Sequence, residues 1–516
     1  MGSESRKGVA TKNALMTFVF QVAYLLVSFA CRTVFTHILG AEYLGLNGLF
    51  SNVLYVLSFI ELGIGNAVVY KLYKPLSENN ENDVRLYLGY YKRIYRLIMI
   101  IVGLVGLSLI PFLQFFVKTE KVNSDIRFLY ILFLLDTIIS YAYVYKKSIL
   151  IADQKNYIVE GYGLVFNILI NILQIVAVLV SHAFIPYLIV KVLLDLLCNV
   201  VTARKTDKIY PYIIHVDSSS NLPEEDYKEF RENLKGLFME KVAAVSFGGT
   251  DNIFISLTRG ITIVGVVSQY TMILTAVNLL LNRVFGALTS AVGKLNVESD
   301  DAHVESAFRK LYFINAVLYG LIFVELVNLL KFFVTSIWFS KEYALSDVAV
   351  FLIILETCLR GMHYPVYMVR SAFGLFSQLR IIAVIGAAIN ILLDLIVGKP
   401  FGVAGIFLAT IVSRSFVAIV DVFVIYHYGF STGVSRFMTL WIKAVGYTTI
   451  LAALCYGLNR LLIIDNYFLK FVASVLMIGL IYTIGAMIFF RKDEEYVYFK
   501  SIFLKMLYRL WNRQGN

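Results

Sequence analysis

Apolar runs of about 20 residues recur along this chain from end to end, each long enough to cross a hydrocarbon core of about 30 Å. At that depth no water serves the backbone, so each run must close its own hydrogen bonds as a helix. About fourteen spans are expected, near residues 12–38, 44–72, 94–117, 127–147, 157–181, 184–203, 236–258, 262–289, 311–335, 347–369, 379–398, 402–427, 437–460 and 467–490. Only 16% of the 516 residues are charged and the mean hydropathy is +0.75. A soluble chain would carry about 25% charged residues, so soluble helical architectures are excluded. The first run, near 14–39, is too long for a removable signal, carries Arg32 and lacks a small-x-small cleavage site. It is read as the first spanning helix.

The net charge of +11 reports topology. With the N-terminus placed in the cytoplasm, 31 Lys and Arg fall in cytoplasmic segments, 8 on the other face, and 7 within helices. That asymmetry is the positive-inside pattern, so both termini are expected in the cytoplasm of a multi-pass membrane protein, and no nucleic-acid partner is implied. Cys31, Cys198, Cys358 and Cys455 lie in or beside apolar runs without CxxC spacing. The six His show no HExxH or paired pattern. Neither a metal site, a cofactor nor a disulfide framework is expected.

The spans repeat. Gly40 and Gly45 return as Gly260 and Gly265, and Lys92-Arg93-Ile94-Tyr95 returns as Arg309-Lys310-Leu311-Tyr312 at nearly the same offset. Phe115-Phe116-Val117 matches Phe332-Phe333-Val334, and Asn167-Ile168-Leu169-Ile170-Asn171 matches Asn390-Ile391-Leu392-Leu393-Asp394. Four echoes in order at a nearly constant offset define two halves of six spans. An even span count makes the halves parallel, related about the membrane normal, an arrangement found in transporters with the site between halves. The expected fold class is therefore an all-α polytopic membrane protein, with two parallel six-helix lobes around a central cavity and two further helices. The lobes are 1–205 and 232–430, joined by a cytoplasmic linker 206–231, with the extra pair and a basic tail in 431–516.

Ionisable residues inside a membrane are costly and usually face a cavity or a partner. The first span carries Gln21, Ser28 and Arg32 on one face, and the second carries Asn47, Ser51, Ser58 and Glu61. The eighth carries Ser268, Thr271, Thr275, Asn278 and Asn282 with Arg283 adjoining, and Asp251 follows a Gly248-Gly249 weak point in the seventh. Single Ser, Thr or Asn residues commonly join packed helices, whereas four aligned ones ending in a charge favour a wet cavity. Glu356 and Arg360 stand four apart, a spacing that permits an internal ion pair, as do Lys191 and Asp195, which read as structural. Arg32, Arg283 and Arg414 have no acidic residue within one turn of their own helix. Guanidinium groups so placed suit a phosphate, which they bind bidentately. Arg414 is expected to serve a ligand or a partner on another helix.

From Leu39-Gly40-Ala41-Glu42-Tyr43-Leu44-Gly45-Leu46-Asn47-Gly48-Leu49-Phe50, through Glu61-Leu62-Gly63-Ile64-Gly65, to Tyr70-Lys71-Leu72-Tyr73-Lys74-Pro75-Leu76, the chain resembles a known family. These segments are similar to the polysaccharide transporters, Wzx-type flippases of O-antigen and capsule repeat units in the multidrug/oligosaccharidyl-lipid/polysaccharide exporter superfamily. The resemblance implies two six-helix lobes around a V-shaped cavity and outward translocation of an undecaprenyl-pyrophosphate-linked oligosaccharide by alternating access. It also implies a cationic cavity, which Arg32, Arg283, Arg360 and Arg414 fit by position.

On this reading the substrate-binding candidates are those four arginines with Gln21, Ser28, Asn47, Glu61, Asn278 and Asn282. The partners are the lipid-linked oligosaccharide, membrane lipids and a polysaccharide polymerase. A coupling ion, Na⁺ or H⁺, is assigned first to Asp251, then to Glu356 or Asp394; Asp394 is weakest because its repeat counterpart, Asn171, is neutral. Two alternatives stay open. An ion-coupled exporter of drugs or small molecules would share the fold, but the related MATE exporters typically carry an acidic residue in the first span, where this chain has Arg32. A membrane polysaccharide polymerase would need a sizeable extramembrane loop or an external carboxylate pair, and the loops provide neither.

Overall fold

The computed structural model describes residues 6–61, 64–117, 125–214, 216, 222–224, 227–228, 245, 248–286, 301–373, 375–430 and 432–513. Two compact units form, Met1–Gly265 and Val266–Asn516, and no strand occurs among the described residues. The first unit holds α1 (Arg6–Leu57), α2 (Ile64–Ser77), α3 (Glu81–Ser108), α4 (Ile126–Ala142), α5 (Val144–Ala152), α6 (Asn156–Ser181), α7 (Phe184–Ile209) and α8 (Asp251–Arg259). Then α9 (Ile261–Gly286) leads into the second unit, which continues through α10 (Asp301–Phe332), α11 (Asp347–Met362) and α12 (Tyr364–Ala372). It ends with α13 (Phe376–Phe401), α14 (Val403–Tyr428), α15 (Ser435–Leu461), α16 (Tyr467–Phe489) and α17 (Glu494–Arg513).

Among the described residues 11 helical stretches are long and apolar enough to cross a membrane, or 12 when the bent pair α4–α5 counts as one. The protein is thus an all-α, multi-pass membrane protein. The first stretch, Val19–Glu61, has 43 residues, about 65 Å of helix and so about twice one crossing. Its helical geometry breaks once, at Gly40, with φ 86° and ψ 179°. The expected seventh span, 236–258, lies partly outside the described residues, which resume there as a short helix only at Asp251. These two features account for the difference from the fourteen spans expected.

The repeat is written into the helix boundaries. The bent pair Ile126–Ala142 and Val144–Ala152 has its counterpart in Asp347–Met362 and Tyr364–Ala372, broken at Tyr143 and at His363, the same offset that separates Gly40 from Gly260. Asn156–Ser181 and Phe376–Phe401 start and stop at that offset too. Gly260 has φ 86° and ψ 168°, almost the conformation of Gly40, one repeat earlier. Positive φ is left to glycine here because a Cβ would strain it.

Immediately after these two glycines the second half of α1 meets the start of α9. A Cβ on Gly45 would stand 2.0 Å from the carbonyl oxygen of Ile261, and one on Gly265 would stand 1.9 Å from that of Ala41. The two contacts are reciprocal, since Ala41 and Ile261 are themselves repeat equivalents. Small residues at such a crossing let backbones approach, which in a membrane replaces the missing hydrophobic drive between helices.

Polar caps start several helices. The Asn80 side chain accepts from the Asp83 N–H and donates to its carboxylate at 2.8 Å at the head of α3. Ser346 and Asn466 accept the first free N–H groups of α11 and α16. Each satisfies donors that the helix itself cannot. In the second unit the extra helices α15 and α16 pack on α10, where Gly320 leaves room for the hydroxyls of Tyr482 and Thr448. Phe308, Tyr312 and Phe437, with Tyr447, Tyr482 and Phe490, form the aromatic core of that packing.

Candidate functional site

The second unit carries a charged centre at the middle of its spans. Glu356 lies well inside the span Asp347–Ala372, and Arg414 lies near the middle of Val403–Tyr428. The Arg414 Nε lies 3.1 Å from Glu356 Oε1, and the Arg360 Nε lies 3.6 Å from the same oxygen. The Glu356 side chain is 8% exposed, that of Arg414 23% and that of Arg360 46%. One carboxylate therefore orients two guanidinium groups, and the triad keeps a net charge of +1. Both of these approaches are made through Nε. The Arg414 partner sits on another helix, so no spacing within α14 could reveal it.

The first unit holds a centre at the equivalent place. Asp136 of α4 is the repeat equivalent of Glu356, at the offset that relates Gly40 to Gly260, and it too pairs with a base on a later span, Lys191 of α7. Lys191 also contacts Asp195 at 2.8 Å. Here one ammonium serves two carboxylates, with Lys147 within electrostatic reach of Asp195. Toward the end of α7, Lys147 donates to Asn199 and Lys146 to Asp207, both at 2.6 Å. The pairing Lys191–Asp195 expected from sequence is present, and Asp136 is its missed third member. Its signal was positional, an acidic residue in the fourth span of each half.

The other candidates in the first unit are dispersed. Gln21 is buried on α1, and Ser28 and Asn47 are half-buried. Arg32 is half-buried and within electrostatic reach of Tyr187 and Cys31. Around it Gln174 donates to the Tyr187 carbonyl at 3.2 Å, and Phe35 packs edge-on against Phe184 and Tyr187. Glu61 ends a short 3-10 turn and accepts from the Tyr95 hydroxyl at 3.2 Å. Asp251 opens α8 in a half-buried position.

On α9, Asn278 is buried and accepts from Tyr319 at 2.7 Å, while Asn282 is exposed. The backbone of Arg283 belongs to α9, and its side chain lies outside the described residues.

Solved structures share this arrangement of helices. A lipid II flippase, MurJ, in an inward closed conformation matches with a TM-score of 0.67 at 17% identity, over 92% of this chain and 99% of that one. An inward-facing MATE multidrug transporter of the MOP superfamily matches at 0.57 and 13% identity, over 78% and 96%. The MATE transporter DinF-BH, in complex with R6G, matches at 0.53 and 16%, over 83% and 97%. The chain has the MOP transporter fold. No protein-family model and no curated protein matches the sequence.

Within the MOP fold one further cluster stands out in the second unit. Asp394, on α13, is 1% exposed. One turn earlier Asn390 is fully buried and donates to the Thr410 hydroxyl of α14 at 3.2 Å, with Ser413 buried one turn beyond Thr410. A buried carboxylate thus lies one turn from a buried amide on the same helix. Asn390 and Asp394 stood in the sequence as a repeat echo. At the cytoplasmic end expected from topology, buried Asp421 accepts from Arg370 at 3.1 Å and meets His363 Nε2 at 2.8 Å. That cluster is also held by partners on a second helix. Among the described residues no group of three His, Cys, Asp or Glu could hold a metal ion.

Proposed function

We propose that the protein is a flippase that carries an undecaprenyl-pyrophosphate-linked oligosaccharide repeat unit from the cytoplasmic to the outer leaflet of a bacterial inner membrane by alternating access. The observation that carries this reading is the Glu356–Arg360–Arg414 centre, a net positive charge at mid-span with one guanidinium half-exposed. A desolvated anion is the ligand that such a centre attracts, and each phosphate–guanidinium contact is charge-assisted. The MOP fold supports a transporter, and the flippase among its structural neighbours supports a lipid-linked cargo. A cationic drug would meet repulsion at this centre.

Arg32 and Arg283 are assigned to phosphate recognition, and Gln21, Ser28, Asn47, Glu61, Asn278 and Asn282 to sugar recognition. We further assign lobes at 1–205 and 232–430, with 206–231 as linker and 431–516 as the extra pair and tail. Both termini are assigned to the cytoplasm, and a polysaccharide polymerase is the consumer of the flipped unit.

Coupling to Na⁺ or H⁺ is assigned to Asp394, ahead of Asp251. The Asp394 carboxylate is 1% exposed, and burial favours whichever state neutralises it. Glu356 is occupied by two arginines and is the weakest of the three candidates.

The experiment is surface-polymer display by cells carrying Arg360→Ala or Arg414→Ala at matched expression, with flipping into proteoliposomes under imposed ion gradients. A lost charge-assisted contact costs about 1.5–3 kcal/mol, so transport should fall roughly 10- to 100-fold. Lys replacements should recover part of it, because charge is kept and the fork is lost. Normal display in both Ala variants would defeat the anionic-headgroup mechanism. Flipping that ignores both gradients would defeat the coupling assignment.

A further inference from the structure

We infer that α17, Glu494–Arg513, lies in the plane of the membrane surface and binds anionic phospholipid headgroups of the leaflet into which its span emerges. The inference is independent of the cargo proposed above.

Position comes first. The last spanning helix, α16, ends at Phe489, and α17 starts after a short turn at Glu494, so it leaves the bilayer at headgroup level. Its first turns are fastened there. Arg309, 7% exposed at the head of α10, contacts Glu495 and lies 3.5 Å from Glu494, while its Nε pairs with Glu305 at 3.0 Å. Lys310 sits 4.5 Å above the Tyr498 ring, and Phe313 stacks on Phe499. Lys443 pairs with Asp493 at 2.6 Å in the turn between the helices. A helix held in this way by its first two turns cannot swing free of the surface.

The remainder presents an amphipathic pattern. Phe499, Phe503, Met506 and Leu510 recur at spacings of four, three and four, a stripe that begins on the face Phe499 lays against Phe313 of α10. Lys505, Arg509 and Arg513 recur every four residues on a neighbouring stripe, with Lys500 beyond, and no acidic residue follows Glu495. Away from the face that Phe499 docks, apolar side chains are exposed, with Val497 52% and Leu504 53% accessible seven residues apart and Ile502 42% accessible on a flank. A helix with four cations, no anions after its docked turn and apolar side chains exposed beside them matches an interfacial segment lying at headgroup level. Lys and Arg are each attracted to an anionic surface, so the charge selects acidic lipid as the occupant of this face.

Trp511, one of three tryptophans in the chain, provides the probe. The full-length protein is placed in phosphatidylcholine nanodiscs that contain, at equal mole fraction, either brominated phosphatidylglycerol or brominated phosphatidylcholine. The Trp511 signal is taken as the difference from a Trp511→Phe variant. Quenching by the brominated phosphatidylglycerol should exceed that by the choline lipid about twofold or more. In a Lys500→Gln/Lys505→Gln/Arg509→Gln/Arg513→Gln variant the excess should vanish while quenching by the choline lipid persists. Equal quenching by the two lipids in the native chain would overturn the headgroup assignment. An excess that survives in the variant would overturn it too. Absence of quenching by either would mean that the helix stands off the bilayer, facing water or another protein, and would overturn the whole inference.

Discussion

The reciprocal glycines at the crossing of α1 and α9 support a double-substitution test whose size follows from the coordinates. In Gly45→Ala the new methyl would lie 2.0 Å from the Ile261 carbonyl oxygen, far inside ordinary van der Waals contact, which begins at 3.4 Å. In Gly265→Ala it would lie 1.9 Å from the Ala41 carbonyl oxygen. Backbone atoms cannot rotate aside, so the helices themselves must part. Overpacking costs typically about 1–3 kcal/mol, and a backbone obstacle puts each single variant at the upper end, about 3 kcal/mol. One separation relieves both clashes, because the contacts are two halves of one crossing. The double variant should therefore also cost about 3 kcal/mol rather than twice that, a large non-additivity of the kind that neighbouring sites show. Reversible unfolding in mixed detergent, followed by helical ellipticity, measures the cycle. Gly446→Ala is the control, since a Cβ there meets nothing within 4 Å, and helix propensity alone predicts a gain of up to about 1 kcal/mol. Additive losses in the double variant, or single variants within about 0.5 kcal/mol of the native chain, would refute the argument.

Glu356→Gln should destabilise the protein by about 3 kcal/mol, because it removes the carboxylate that two mid-span arginines share. Adding Arg414→Gln should return much of that loss, as the unfolding midpoints of the two variants would report. Outside the membrane, burial works against the Asp153 carboxylate, but Lys155 at 2.6 Å and the Tyr210 hydroxyl at 2.5 Å hold it below the usual range. A depressed folded value gives stability that is complete above the unfolded value of about 3.9 and lost as pH falls through the folded one. The thermal midpoints of the native chain and Asp153→Ala should accordingly differ by a constant amount from about pH 8 to 5 and converge below about pH 4. A difference that grows on acidification would count against the pairing.

The spans, the broad architecture and the two-fold repetition were legible in the sequence because the bilayer imposes local rules. A segment must be about 20 residues of apolar helix wherever it crosses, so a linear scan finds it. Gly40 and Gly260 stood out for the same reason, since a positive φ is a requirement of the residue itself. Partners across helices follow no such rule. Nothing in α14 says that Arg414 faces Glu356, nothing in α4 says that Asp136 meets Lys191, and nothing in α13 says that Asn390 reaches Thr410. Those meetings depend on how helices rotate and cross when packed, which is set by many weak contacts spread over residues far apart in sequence. Sequence by itself thus determined where the chain crosses the membrane and which charges it carries there. Only the tertiary structure decided which of those charges neutralise each other, so that one carboxylate meets two guanidinium groups in one unit and one ammonium meets two carboxylates at the repeat-equivalent place.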